Sequence, residues 1–300
     1  MSAEATLAAP RSERGAGLSR LLGRIFIYGI LILFALYYLM PLFVMIVTSL
    51  KDMSEIREGN LISLPRNPTL EPWRVAWMEA CVGVDCPGIR GFYANTFLMV
   101  VPAVTISTLL GSLNGFALTK FNFPGHRLVF GLIMFGCFTP YQAILIPMAT
   151  VLGKIGLSGS LWGLILIHVI YGLPFTTLFF RNYYVSIPQD LVKAARVDGA
   201  GFFRIFYHIL LPISAPIAIV SVIWQFTNIW NDFLFGASFT YGRNAPIMVA
   251  LNNIVNTSTG ERPYNVQMAA AIMAALPTLV IYVFAGRYFI RGLVAGSVKG

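Results

Sequence analysis

Six apolar runs dominate this chain, at residues 25–48, 94–117, 128–149, 161–180, 213–235 and 268–290. Each is close to the roughly 20 residues that a bilayer crossing requires. Hydrocarbon offers the backbone no water to bond, so segments this long and apolar satisfy their N–H and C=O groups internally, as helices. The pattern predicts an all-α membrane protein with six transmembrane helices. Composition agrees: 57% of residues are hydrophobic, 11% are charged and the mean hydropathy is +0.74, which leaves too little polar sequence to enclose a soluble core. Residues 1–24 read as a cytoplasmic N-terminal tail, and residues 25–300 as one six-helix membrane domain without an internal repeat or a soluble insertion.

The first run is longer than the apolar core of a signal peptide and has no small-residue cleavage site at its end, so it is expected to stay as an anchor. Arg11, Arg14, Arg20 and Arg24 precede it and place the N-terminus in the cytoplasm by the positive-inside rule. Six spans then return the C-terminus to the same side and put the polar loop 186–212 inside. The net charge of +9 is scattered around the ends of the spans and forms no basic patch with interleaved aromatics. That distribution suits anionic lipid and topology, and no nucleic-acid role is expected.

Loop 186–212 carries the most specific pattern. Ser186 and Gln189 have the spacing of a capping box, Ile187-Pro188 suits a first helical turn, and Asp198-Gly199 marks the stop. Leu191, Ala194, Ala195 and Asp198 recur at i, i+3, i+4 and i+7, which predicts a narrow exposed face able to enter a tight cleft. Phe202, Ile205, Phe206 and Ile209 follow and are expected to tie this short helix to the span that begins near Pro212. Here the chain resembles ABC-importer permeases: Ala194, Ala195, Asp198, Gly199, Ala200, Phe206 and Pro212 fall on that family's E-A-A-x-x-D-G-A…F…L-P loop. Lys193 departs from the pattern, standing where the family has the leading Glu. The alternative is an ordinary interfacial amphipathic loop.

Softer stretches extend the resemblance over most of the chain: Asn95-Thr96, residues 115–125 (GFALTKFNFPG), Arg181-Asn182-Tyr183-Tyr184 and residues 230–235 (WNDFLF). They make the chain similar to the second membrane subunit of maltose-type carbohydrate importers. The resemblance implies a cytoplasmic coupling-helix loop, a heterodimer with a related permease, two ATPase subunits, a periplasmic sugar-binding protein and a bacterial inner-membrane location with both termini cytoplasmic. It also implies alternating access driven from outside the chain, with ATP and Mg held by the partner ATPase. The sequence agrees, having no G-x-x-x-x-G-K-[ST] loop, no H-E-x-x-H metal motif and no catalytic constellation. His126, His168 and His208 are far apart and read as loop or interfacial residues. Overall likeness suggests a monosaccharide such as glucose or mannose as the solute. The other classes are a permease for a non-sugar solute, such as a polyamine or glycerol phosphate, and a channel or structural membrane protein without an ATPase.

Within the spans, Ser221, Gln225, Asn228 and Asn231-Asp232 recur every three or four residues along the fifth run. Polar groups at membrane depth need partners or water, so the stripe is either a pathway wall for a hydroxyl-rich solute or a set of interhelical hydrogen bonds. Trp224 and Trp230 offer aromatic surface beside it, and Asp232 is placed to act as an interfacial cap. Thr139-Pro140-Tyr141-Gln142 predicts a kinked third span with Gln142 as a further lining candidate; the alternative is a kink used only for packing. Ser107-xxx-Gly111-xxx-Gly115, and the alanines of 269–275, predict close helix contacts. In the outer loop 51–90, Cys81 and Cys86 are spaced to close a small disulfide loop in an oxidising periplasm, the alternatives being free thiols or, less favoured without a nearby His, a metal site. Cys137 reads as a packing residue.

Overall fold

A computed structural model describes residues 13–121, 123–256 and 262–297. Arg11 and the rest of the tail through residue 12 lie outside them. The chain runs α1 (Glu13–Ser49), α2 (Met53–Arg57), α3 (Glu71–Met78) and α4 (Arg90–Lys120), then α5 (His126–Phe138), a 3-10 turn (Tyr141–Ile144) and α6 (Leu145–Lys154). It continues with α7 (Leu161–Val185), α8 (Gln189–Val197), α9 (Phe202–Ile205), a π-turn (Phe206–Leu210), α10 (Leu211–Ile213) and α11 (Ala215–Trp230). Finally come α12 (Leu234–Phe239), a 3-10 turn (Gly242–Asn244), α13 (Ile247–Asn256) and α14 (Tyr264–Ser297).

Among the described residues, four helices are long and apolar enough to cross a membrane: residues 20–49 of α1, all of α4 and α7, and residues 264–286 of α14. The third and fifth expected spans are broken rather than merely kinked. α5 and the segment through α6 meet at 101°, and the segment through α10 meets α11 at 79°. The first break follows from Pro140, which has no N–H to donate and pushes Thr139 out of helical geometry, to φ −73° and ψ 118°. The fifth segment bends at Ser214, between Pro212 and Pro216, leaving α11 with 16 residues and a length of roughly 24 Å. α1 exposes Leu and aromatic side chains on all sides, from Leu21 to Met40, and buries its last turn, at Val47, Thr48 and Ser49.

The closest helix pair is α4 with α7. A Cβ added at Gly111 would lie 2.2 Å from Thr176 Oγ1, and one at Gly115 would lie 2.7 Å from the backbone nitrogen of Arg181. The small-residue ridge thus brings two backbones together where larger side chains would hold them apart. Thr176 Oγ1 donates to Ser107 O at 2.9 Å, and the hydroxyls of Ser112 and Tyr184 lie 2.7 Å apart, so the polar groups of the seam satisfy one another. Ala269, Ala270 and Ala274 are fully buried on α14, and Trp230 Nε1 donates to Ala274 O at 2.8 Å.

Cross-links between helix ends define two sides. On one, Lys51 follows α1 fully buried, its Nζ bonded to Asn60 O at 3.0 Å and Ser63 Oγ at 2.9 Å, while Asn265 Nδ2 donates to Lys51 O. There too Asn95 Nδ2 donates to Ala245 O, and Thr96 Oγ1 accepts from Ile247 N, seating the chain that leads into α13 on the start of α4. On the opposite side, Lys120 at the end of α4 meets the chain that follows α7, with Nζ donating to Ile187 O at 2.6 Å. Loop 51–90 is more ordered than its composition suggests. It contains two short helices, a disulfide between Cys81 and Cys86, and Gly88 at φ +67°, where a Cβ would strike Trp77 O.

Two outcomes follow from this packing. Gly115→Val is expected to cost about 1–3 kcal/mol through overpacking, seen as a lower midpoint in thermal unfolding of the detergent-solubilised protein. Gly131→Ala, with no atom within 4 Å of the added Cβ, should leave that midpoint unchanged. Alkylation followed by intact-mass measurement should leave Cys81 and Cys86 unmodified until a reductant is added.

Candidate functional site

The loop after α7 builds the first site. Ser186 and Gln189 do not form the expected capping box: Ser186 Oγ donates back to Tyr183 O at 2.7 Å, and Gln189 Nε2 reaches across to Lys120 O at 3.2 Å. Gln189 is taken by a tertiary partner on α4, and Ser186 by the last turn of α7. The C-terminus follows the sequence closely. Gly199 N donates to Arg196 O and Ala200 N to Ala195 O, a Schellman closure that needs the left-handed backbone Gly199 adopts, at φ +78°.

α8 is amphipathic, but its faces are rotated from expectation. Ala195 is buried beside Val192, packed into a cluster with Phe116, Phe180, Tyr184, Ile205 and Phe206, while Leu191, Ala194 and Asp198 stay on the open face. Val192 was missed because i, i+3 and i+4 spacing fits both faces of so short a helix. The open face is also less small than expected, since Val197 is 88% exposed and Phe203 and Tyr207 stand out of the following turns. Phe206 is buried in the π-turn, Phe202 packs against the cluster, and Pro212 is exposed at the bend before α11. Lys193 pairs with Asp190 at 3.1 Å on the same helix, a solvent-exposed contact that adds little stability. The Arg196 guanidinium lies 4.3 Å from the ring centroid of Phe121, and Tyr183 Oη donates to Ile213 O. α8 is therefore held to the ends of α4, α7 and α10 together.

The second site is a cavity of about 610 Å³ between α7, α11 and the α5–α6 break. Its volume falls within the range of ligand pockets. Gln142, Trp224, Asn228 and Asn231 line it. The stripe on α11 nevertheless divides. Ser221 is fully buried with its hydroxyl 3.4 Å from that of Thr108, and Gln225 touches the wall with its amide donated to Ser107 Oγ at 2.7 Å. These two serve interhelical bonding, with Gly172 leaving the space that Gln225 fills. Trp230 turns away, into the core, against Phe97 and Tyr93.

The structure relocates one residue and adds others. His168 is neither in a loop nor interfacial: it lies inside α7, 5% exposed, with its ring against Phe235 and its Nε2 without a hydrogen-bond partner. Asp232 caps α12, accepting from Gly236 N at 3.0 Å and Phe235 N at 3.3 Å, yet the same carboxylate faces the cavity with Oδ2 3.7 Å from His168 Nε2. The available signal was their chemistry, since ionisable residues inside apolar spans are seldom placed there without a role. Tyr171, Phe175 and Phe235 complete an aromatic wall with Trp224, whose ring centroid lies 4.7 Å from that of Phe175. Along α7 the cavity and α8 are far apart, roughly 25 Å from His168 to Val185.

Comparison with known proteins places this geometry. The chain is 39% identical over 278 residues to a probable ABC transporter permease protein of Pyrococcus horikoshii, covering 92% of this chain and 98% of that one. It is 32% identical over 292 residues to the xylose/arabinose import permease protein XacI of Haloferax volcanii, covering 91% and 92%. In fold it is similar to a crystal structure of a bacterial ABC transporter involved in import of the acidic polysaccharide alginate, with a TM-score of 0.76, 21% identity and coverage of 95% and 100%. Residues 92–293 match the family described as the binding-protein-dependent transport system inner membrane component, and with those relatives this shows that the chain belongs to that family of ABC-importer permeases.

Proposed function

We propose that this chain is one permease subunit of an ATP-driven importer that moves a sugar through the inner membrane by alternating access, with α8 as the element that receives force. The observation that carries the reading is how α8 is fixed. Val192 and Ala195 seat it in the Phe116–Phe180–Phe206 cluster, and Lys120 and Gln189 bind it to the end of α4. A load on its exposed Leu191, Ala194 and Val197 face is thereby passed to α4, α7 and the α10–α11 bend as one body. Relatives named for xylose/arabinose, diacetylchitobiose and arabinooligosaccharide transport support a sugar as the solute.

The partners in this reading are a related permease in a heterodimer, two ATPase subunits that bind ATP and Mg, a periplasmic sugar-binding protein and membrane lipid. The chain itself is a transport subunit without catalysis. Arg20 and Arg24 at the start of the first crossing, with Lys193, Arg196 and Arg204 around α8, support cytoplasmic termini and an inward-facing α8. Cavity residues Gln142, Trp224, Asn228 and Asn231 would then line the outer half of the solute path, with Ser221 and Gln225 bracing it from behind.

Gly199→Asp and Val197→Asp test the coupling role. Neither side chain meets a packed neighbour, since Gly199 has open space around it and Val197 is solvent-exposed. Gly199→Asp also carries about 1–2 kcal/mol of left-handed backbone strain, which Val197→Asp avoids. Each places a carboxylate in an apolar contact, so solute-stimulated ATP hydrolysis by the purified complex should fall about tenfold or more while the chain still assembles in the membrane. Unchanged stimulated hydrolysis in both variants would overturn the coupling role.

A further inference from the structure

Resting on that reading, we infer that the cavity beside His168 and Asp232 is a binding subsite for an uncharged polyhydroxy ring, and that this pair grips one of its hydroxyls. His168 is 95% buried, and its Nε2, facing Asp232, has no hydrogen-bond partner. Leaving such an atom dry is costly, and native proteins rarely do so without a ligand or water to satisfy it. The 3.7 Å between Nε2 and Asp232 Oδ2 is too long for a direct hydrogen bond. A hydroxyl oxygen about 2.8 Å from each at a near-tetrahedral angle needs them about 4.6 Å apart, so a side-chain shift of about 1 Å opens the pair to one ring hydroxyl that donates its proton to the carboxylate and accepts from the imidazole Nε2–H.

The rest of the wall points to the same chemistry. Gln142, Asn228 and Asn231 are neutral amides, Asn228 keeping its oxygen and one N–H beyond the bond its Nδ2 makes to Trp224 O, and together they complement several hydroxyls on one ring. Tyr171, Phe175, Trp224 and Phe235 supply flat apolar surface for the C–H faces between those hydroxyls. Among the described residues no Lys or Arg lines the cavity. A uronate or sugar phosphate would bring its charge next to Asp232 with no cation to meet it, at a high desolvation cost. The subsite therefore selects neutral sugars over acidic ones, and it places solute contacts on this subunit.

The test uses the importer complex isolated through this chain, titrated with glucose, xylose, maltose and glucuronate. Binding is read as quenching of Trp224 emission, taken as the difference from a Trp224→Phe complex, and transport as stimulation of ATP hydrolysis with the binding protein present. At least one neutral sugar should quench Trp224, glucuronate should bind at least tenfold more weakly than glucose, and His168→Ala and Asp232→Asn should each weaken neutral-sugar binding about tenfold to a hundredfold. His168→Gln, which keeps a polar group in the same space, should recover part of the loss. Equal binding of glucuronate and glucose, neutral-sugar binding unchanged in the His168 and Asp232 variants, or no Trp224 response to any of these sugars overturns the subsite. If stimulation of ATP hydrolysis persists in those cases, the importer reading stands without it; Trp224 quenching without any stimulation keeps the subsite and removes the importer reading.

Discussion

The close approach of α4 and α7 is the contact on which the other features depend. Gly111 and Gly115 have no side chain to spare, and the Thr176 side chain and the Phe180–Arg181 backbone occupy the space a Cβ would need. That contact sets α7 in a fixed register on α4, and α7 carries both sites: His168, Tyr171 and Gly172 at the cavity, and the start of the α8 loop at its far end. In lipid, where apolar surface alone does not drive helices together, such a seam gains its strength from van der Waals contact and from hydrogen bonds such as Thr176 to Ser107.

The polar groups within the spans divide by the same logic. Those with a helix neighbour in reach are consumed by it: Gln225 by Ser107, Ser221 by Thr108, Tyr184 by Ser112. Others face the cavity beside the corner made by Pro140: Asn228, bonded along its own helix to Trp224 O, Asn231, His168, and Asp232 while it caps α12. The broken helices matter here. A continuous third span would carry Gln142 along a helix, whereas the 101° break delivers it at a corner beside Tyr171 and Phe235. Irregular backbone at membrane depth is tolerated where it is buried in protein or lines a cavity, and this corner does the latter.

Much of the architecture was legible in the sequence because the bilayer imposes length and hydrophobicity that any reader can count. The crossings by α1, α4, α7 and α14, the Gly111/Gly115 contact and the Gly199 helix stop are all local or one-dimensional signals. What failed was three-dimensional. The Ser186–Gln189 capping box lost to Lys120, a partner 69 residues from Gln189 in the chain. Ala195 read as exposed because a nine-residue helix offers too few turns to fix which stripe is buried. His168 and Asp232 are 64 positions apart, and nothing in either neighbourhood announces the other. His168 was read with His126 and His208 as a loop or interfacial residue because the three are far apart, when its position inside an apolar run was the stronger physical clue.

The central claim is that this chain works as the membrane half of a coupled machine, with α8 as the face that the ATPase grips. The most direct measurement is to purify the tagged protein in mild detergent, with and without the Val197→Asp change, and identify what remains bound by mass spectrometry. An ATPase and a second permease should accompany the unaltered chain, and the variant should keep the permease and lose the ATPase. Recovery of the chain alone in both preparations would contradict it.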